Sequence, residues 1–202
     1  MVEEKKKNIT LKKLIVLKKS GLLVMTSKDI PSKRVVIGKI KELGLDKHIL
    51  YHTLAVSRKA IKIGSEIRSV PVDIKLVRIG AILHDIGRTR SHGLDHAAYG
   101  ADIIRDLGWS EDLARITETH ILGGLKKSEA KDLNIPIRDY MPRSIEEKIV
   151  CLSDKYHIGS RKVSIEHRFK NWYNRFGKTE LLLTARKRVE RLELEIYRLM
   201  YP

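Results

Sequence analysis

The stretch LVRIGAILHDIG, from Leu76 to Gly87, is apolar on nearly every side until it ends in a fused histidine and aspartate. A helix that is apolar all round has no solvent face, so it must lie among other helices. The flanking sequence supplies them. β-Branched alternation is scarce, and apolar residues recur at helical spacing almost throughout. A helix is expected from Ser32 to Leu43, stopped by Gly44, and a longer one from Asp46 to about Ile67. Pro71-Val72-Asp73 opens the apolar helix, and others follow from about Asp95 to Leu107 and from Ser110 to Leu122. Residues 130–144, AKDLNIPIRDYMPRS, read as a loop long enough to be a lid or to contact a substrate. Ser144 and Glu147 form a capping box for a helix to about Ile158. Thr179 caps a final long helix with Leu182, Ala185, Val189, Leu192, Ile196 and Leu199 on one face, a stripe that suits core packing or a homodimer seam. The fold class is all-α.

Charge is distributed unevenly. Residues 1–47 hold 13 Lys/Arg against 5 Asp/Glu, residues 48–154 hold 16 against 15, and residues 155–202 hold 12 against 5. The middle is almost neutral and the two flanks are basic, which suits an anionic partner such as RNA. A basic helix is expected from Lys12 to Ser20, and Met25, in a looser stretch, offers a second start. No apolar run approaches the roughly 20 residues of a membrane span, and the N-terminal apolar segment is broken by lysines. The single cysteine, Cys151, excludes internal disulfides and thiolate clusters and fits a reducing cytoplasm. Any metal must then be held by nitrogen and oxygen.

The histidines fall on the apolar faces. His52 lies three after Ile49 and four before Val56; His84 follows Gly80 by four; His96 shares a face with Gly100, Ile103 and Leu107; His120 continues Leu113 and Ile116. Asp85 follows Ala81 by four, and Asp154 follows Val150 by four. One inward histidine is ordinarily a core residue bonded to a carbonyl. Four, with two carboxylates and no lysine or arginine on the same faces, are better satisfied by a divalent cation than by the core.

His52, the His84-Asp85 doublet in HDIG and Asp154 in LSDK resemble the H…HD…D pattern of the HD-domain metal-dependent phosphohydrolases. His96 in HAAYGA and His120 in ETHILGG extend it to the H…HD…H…H…D variant, which is associated with a two-metal centre. The chain is similar to small archaeal HDIG proteins and to bacterial hydrolases that split dinucleoside tetraphosphates symmetrically. The resemblance implies an HD-like helical bundle over residues 32–160, a basic extension over residues 1–31, and a basic helical extension over residues 161–202 that packs on the domain. It implies one metal on His52, His84, Asp85 and Asp154 and a second on Asp85, His96 and His120. Iron, manganese or a similar first-row ion suits this donor set. The implied reaction is hydrolysis of a phosphoester or phosphoanhydride, in a nucleotide or other small phosphorylated substrate, by a metal-activated hydroxide. Asp85 is the bridging carboxylate, Arg88 and Lys155 are candidate phosphate clamps, and His92 is a candidate for phosphate binding or leaving-group protonation. No GYP sequence is present, which disfavours the cyclic-di-nucleotide phosphodiesterase branch, and no (p)ppGpp synthetase portion accompanies the domain. Three alternatives stay open: cleavage at RNA ends gripped by the basic flanks, a di-iron oxygenase, and a non-catalytic nucleotide- or RNA-binding module.

Overall fold

The structure, a computed structural model, describes residues 30–202. The helix expected at Lys12–Ser20 and Met25 lie outside them. Among the described residues there are nine α-helices and one two-stranded hairpin. The helices are α1 (Lys33–Glu42), α2 (Lys47–Glu66), α3 (Ile74–Leu83), α4 (His96–Asp106), α5 (Glu111–Thr119), α6 (Lys127–Asp132), α7 (Ile145–Lys155), α8 (Ile165–Phe176) and α9 (Glu180–Met200). β1 (His157–Ile158) and β2 (Arg161–Lys162) pair antiparallel, Ile158 opposite Arg161. The all-α class is borne out, and no described helix is long and apolar enough to cross a membrane.

The apolar segment is central, as its composition requires. Seven of the ten residues of α3 are buried, and it packs against α1, α2, α5 and α7. Asp73 caps its start by accepting the Leu76 N–H. Gly80 lets α5 approach, because a Cβ there would stand 2.7 Å from the Ile116 side chain. The capping box of α7 forms as read, with Ser144 accepting from the Glu147 N–H and Glu147 bonding back to Ser144 N–H. In α9 the stripe Leu182, Ala185, Val189, Leu192 and Ile196 is buried within the chain, against α7 and the turn at Ile121–Gly123. That face is core, so it is not free to form a dimer seam.

Three expectations change. Residues 130–144 line no part of the main cleft. Arg115 donates to the carbonyls of Asp139 and Met141, Arg138 pairs with Asp102 and Glu118, and Tyr140 is fully buried, so this segment is fastened down rather than a lid. α7 stops at Lys155, and the hairpin takes the residues beyond it. Residues 165–176, outside the helices expected from the sequence, form α8, capped by Ser164, with Ile165, Phe169, Trp172, Tyr173 and Phe176 at helical spacing.

Candidate metal centre

The helix ends create the site. α3 terminates at Leu83 with His84 as its C-cap, and Asp85 takes the bridge conformation (φ −103°, ψ 12°) before a 3₁₀ turn at Ile86–Thr89. The two side chains thus part at a break in the helix rather than by helical rotation alone. The turn packs on the first residues of α4 at a distance only glycine permits: a Cβ on Gly87 would stand 1.9 Å from the His96 carbonyl oxygen and 2.5 Å from Gly100 N. This contact brings His96 to the doublet. His120, the C-cap of α5, arrives from the other side, followed by Leu122 in a left-handed conformation (φ 52°) and by Gly123 and Gly124 at positive φ.

Each imidazole is oriented by the main chain. The Nδ1 of His52 lies 2.8 Å from Gly159 O, that of His84 2.8 Å from Ala81 O, that of His96 2.5 Å from Gly93 O, and that of His120 2.6 Å from Thr117 O. A carbonyl only accepts, so each Nδ1 carries a proton and Nε2 is the atom each ring turns inward. The hairpin missed in the sequence serves this purpose, since it supplies Gly159 O.

Those Nε2 atoms meet one another and the carboxylates. His52 and His84 Nε2 are 3.3 Å apart, and His96 and His120 Nε2 are 3.0 Å apart. His52 Nε2 lies 3.0 Å and His84 Nε2 3.8 Å from Asp154 Oδ1. Asp85 faces both sides: Oδ2 is 3.8 Å from His52 and His84 Nε2, while Oδ1 is 3.0 Å from His96 and 3.5 Å from His120 Nε2. All six side chains are buried. Burial drives His84 down to about 3 and lowers His120, which keeps these two rings free of a second proton, whereas Asp154 and Asp85 raise His52 overall. Burial works against the charge on Asp85, but His84, His120 and His96 outweigh it and hold its carboxyl well below the usual range. Asp154 is held low in the same way, by Lys155, His52 and Arg168. Buried Asp85 Oδ1 accepts no well-aligned hydrogen bond, its one cationic neighbour being the Arg88 guanidinium. Lone pairs facing lone pairs around an unsatisfied carboxylate oxygen fit divalent cations, and the groups His52–His84–Asp85 and Asp85–His96–His120 are each tight enough to hold an ion.

Cations do lie beside the carboxylates, which corrects the reading that none shares their faces. Arg88 Nε is 2.8 Å from Asp85 Oδ1. Lys155 is almost fully buried, pairs with Asp154 Oδ2 and donates to His120 O at 2.8 Å. Lys155 follows Asp154 directly and Arg88 sits on the 3₁₀ turn, so neither contact follows from helical faces. His92 is exposed at the mouth. His157, which reads as a surface or loop residue, is instead buried with Nδ1 on Ser153 O. Cys151 is buried, with its thiol on His120 O.

The centre is reached through a cleft of about 400 Å³ that Arg88, His92, Arg168, Trp172 and Arg175 also line. The last three come from α8 and were not singled out in the sequence. Their spacing at 168, 172 and 175, interleaved with Phe169 and Tyr173, is the signal that carries them.

Comparison with known proteins fits this geometry. The HD domain model matches residues 49–159. An uncharacterized protein of Methanocaldococcus jannaschii is 43% identical over 65% of this chain and 79% of its own length. A tRNA (cytidine(56)-2'-O)-methyltransferase of Picrophilus torridus is 33% identical over 73% of this chain but 42% of its own length. A ribonuclease Y of Acidothermus cellulolyticus is 25% identical over 80% of this chain and 30% of its own length. The chain therefore spans less than half of these last two. The HD domain of the Listeria monocytogenes phosphodiesterase PgpH, solved with cyclic-di-AMP, superposes with a TM-score of 0.51 over 81% of this chain and 97% of that one. At 17% identity this is a likeness of fold alone. The chain belongs to the HD-domain family, the metal-dependent phosphohydrolases that its histidine–aspartate pattern resembles.

Proposed function

We propose that this protein hydrolyses a phosphoester or phosphoanhydride of a nucleotide or similar phosphorylated substrate at a two-metal centre. The observation that carries the reading is the convergence of four imidazole nitrogens and two carboxylates at the floor of an arginine-lined cleft. His52, His84, Asp85 and Asp154 would hold one ion, and Asp85, His96 and His120 would hold the other. Bound divalent ions supply Lewis acidity toward phosphoryl oxygens and acidify water toward neutrality. The chain's own residues do the rest. Lys155 fixes Asp154 and ties it to the His120 main chain. Arg88 steadies Asp85 and the turn at His92, and with Arg168 and Arg175 it offers the cleft guanidinium groups suited to phosphate oxygens. His92, exposed at the mouth, is placed to protonate a leaving oxygen.

Phosphodiesters of RNA are the favoured alternative to small nucleotides. The relatives named tRNA methyltransferase and ribonuclease Y both align with the greater part of this chain, and the segment beyond residue 154 is strongly basic. The test is metal analysis of the purified protein together with a screen of nucleotide and phosphodiester substrates, using Asp85→Ala as control. The variant should lose bound metal and on the order of a thousandfold in turnover, the scale of removing a group that stabilises transition-state charge. Undiminished hydrolysis by Asp85→Ala removes that residue from the centre.

A further inference from the structure

Next to the metal cleft lies a second groove of about 600 Å³, which shares Arg88, His92, Leu94, His96, Leu122 and the α8 residues with it. Its far wall is Phe176, Leu181 and Leu182. Aromatic residues make up only 5% of the chain, yet both phenylalanines and one of its two tryptophans stand on α8. They are layered with arginine: the Arg168 guanidinium lies 4.6 Å from the Trp172 ring centre, and that of Arg175 lies 5.0 Å from the Phe176 ring. Phe176 is 55% exposed. No acidic side chain lines the groove among the described residues. α8 lies beyond the stretch that the family model matches.

We propose that this groove is a nucleobase subsite, taking the base of the nucleoside next to the scissile phosphate. The substrate is then a phosphodiester joining nucleosides, and this rests on the phosphohydrolase reading above. A base has two flat apolar faces and a polar edge, and aromatic rings and guanidinium planes are the surfaces on which unpaired bases stack. An alkyl chain gains nothing from three arginines, whereas a nucleotide uses both halves of the wall: the rings for its base, and Arg88, Arg168 and Arg175 for its phosphates. Residues 1–29 carry eight lysines against three acids, so they share the positive sign of the groove and are repelled by it.

The test uses the full chain with Mn²⁺ and three substrates, the deoxydinucleotide d(ApA) and its two analogues with one or the other base replaced by an abasic spacer. The wild type should prefer the intact dinucleotide over one of the analogues on the order of tenfold in kcat/KM, within the range that one stacked base contributes. Phe176→Ala, at an exposed position, and Trp172→Leu should shrink that preference to about twofold. A preference that persists in both variants, or its absence in the wild type, overturns the subsite while leaving the hydrolase reading intact. If no form cleaves any of the three compounds, the hydrolase reading is left to its own substrate screen, and binding of a 2-aminopurine dinucleotide decides the groove. Quenched fluorescence with weaker affinity in the two variants supports it; equal affinity in all three proteins overturns it.

Discussion

At the scale of single residues, four carbonyls fix where four protons sit, and those protons fix what the centre can bind. The same burial makes the ion-free protein sensitive to acid. His84 is held at about 3, and burial also lowers His120 and His157. The unfolded chain protonates histidine near 6.5, so between that value and the folded one it binds protons that the native state refuses. This contribution to stability is complete above about pH 6.5 and is lost as the pH falls toward 3. His52 runs the other way: burial lowers it, but Asp154 and Asp85 raise it overall. Three depressed residues against one raised predict that chelator-treated protein unfolds at lower urea at pH 5 than at pH 7.5; a midpoint that rises on acidification would contradict this. Lys155 gives a second prediction. Lys155→Met keeps much of the volume but strips Asp154 of its buried partner, and should cost about 3–5 kcal/mol in the ion-free protein, measured by urea unfolding with Asp154→Asn as the compensating change. The convergence of these six side chains was legible in sequence because a polar cluster of this kind must face inward from helices whose inward face is marked by apolar neighbours. The flanking cations were not, since they reach the carboxylates from a chain neighbour and a 3₁₀ turn.

At the scale of elements, the centre depends on how helices end. α3, α5 and α7 each deliver their ligand in or just past the last turn, where the backbone is free to leave helical geometry. Gly87→Ala should therefore be severe. The added carbon meets main chain rather than a flexible side chain, and a loss of about 3 kcal/mol or more in thermal or urea unfolding is expected, with weaker metal retention because His96 is pushed from Asp85. Thr179→Ala provides the contrast. It removes the cap that accepts the Leu182 N–H, costing about 1 kcal/mol with metal content unchanged. Helix positions were readable because caps and apolar stripes coincide: Ser32, Asp73, Ser110, Ser144 and Thr179 all cap as their sequence implies. α8 was not, because only Ile165 and Phe169 of its residues are buried. Its apolar positions Ile165, Phe169, Trp172, Tyr173 and Phe176 do recur at helical spacing, but they are mostly aromatic, and Trp172 and Phe176 line the cleft and groove rather than fill the core.

At the scale of the whole molecule, metal and fold are linked. An ion that binds only the native chain adds about 2.7 kcal/mol at a hundredfold excess over its Kd. Each kcal/mol moves the midpoint of a chain this size by about 2–4 °C. Saturating Mn²⁺ should thus raise the Tm of stripped protein by roughly 5–11 °C for each ion bound, by calorimetry, and Asp85→Ala should show no such rise. The two ligand sets also differ in how much chain they enclose. Asp85, His96 and His120 come from one continuous stretch around α4 and α5, whereas joining His52 to Asp154 needs α2 and α7 to dock across most of the described sequence. Closing the longer loop costs more entropy and comes later in assembly. Transient separation of α7 from the bundle would therefore empty the His52 side first while the shorter segment kept its ion, so the centre should lose its two metals in sequence, at two distinct rates, when challenged with a chelator.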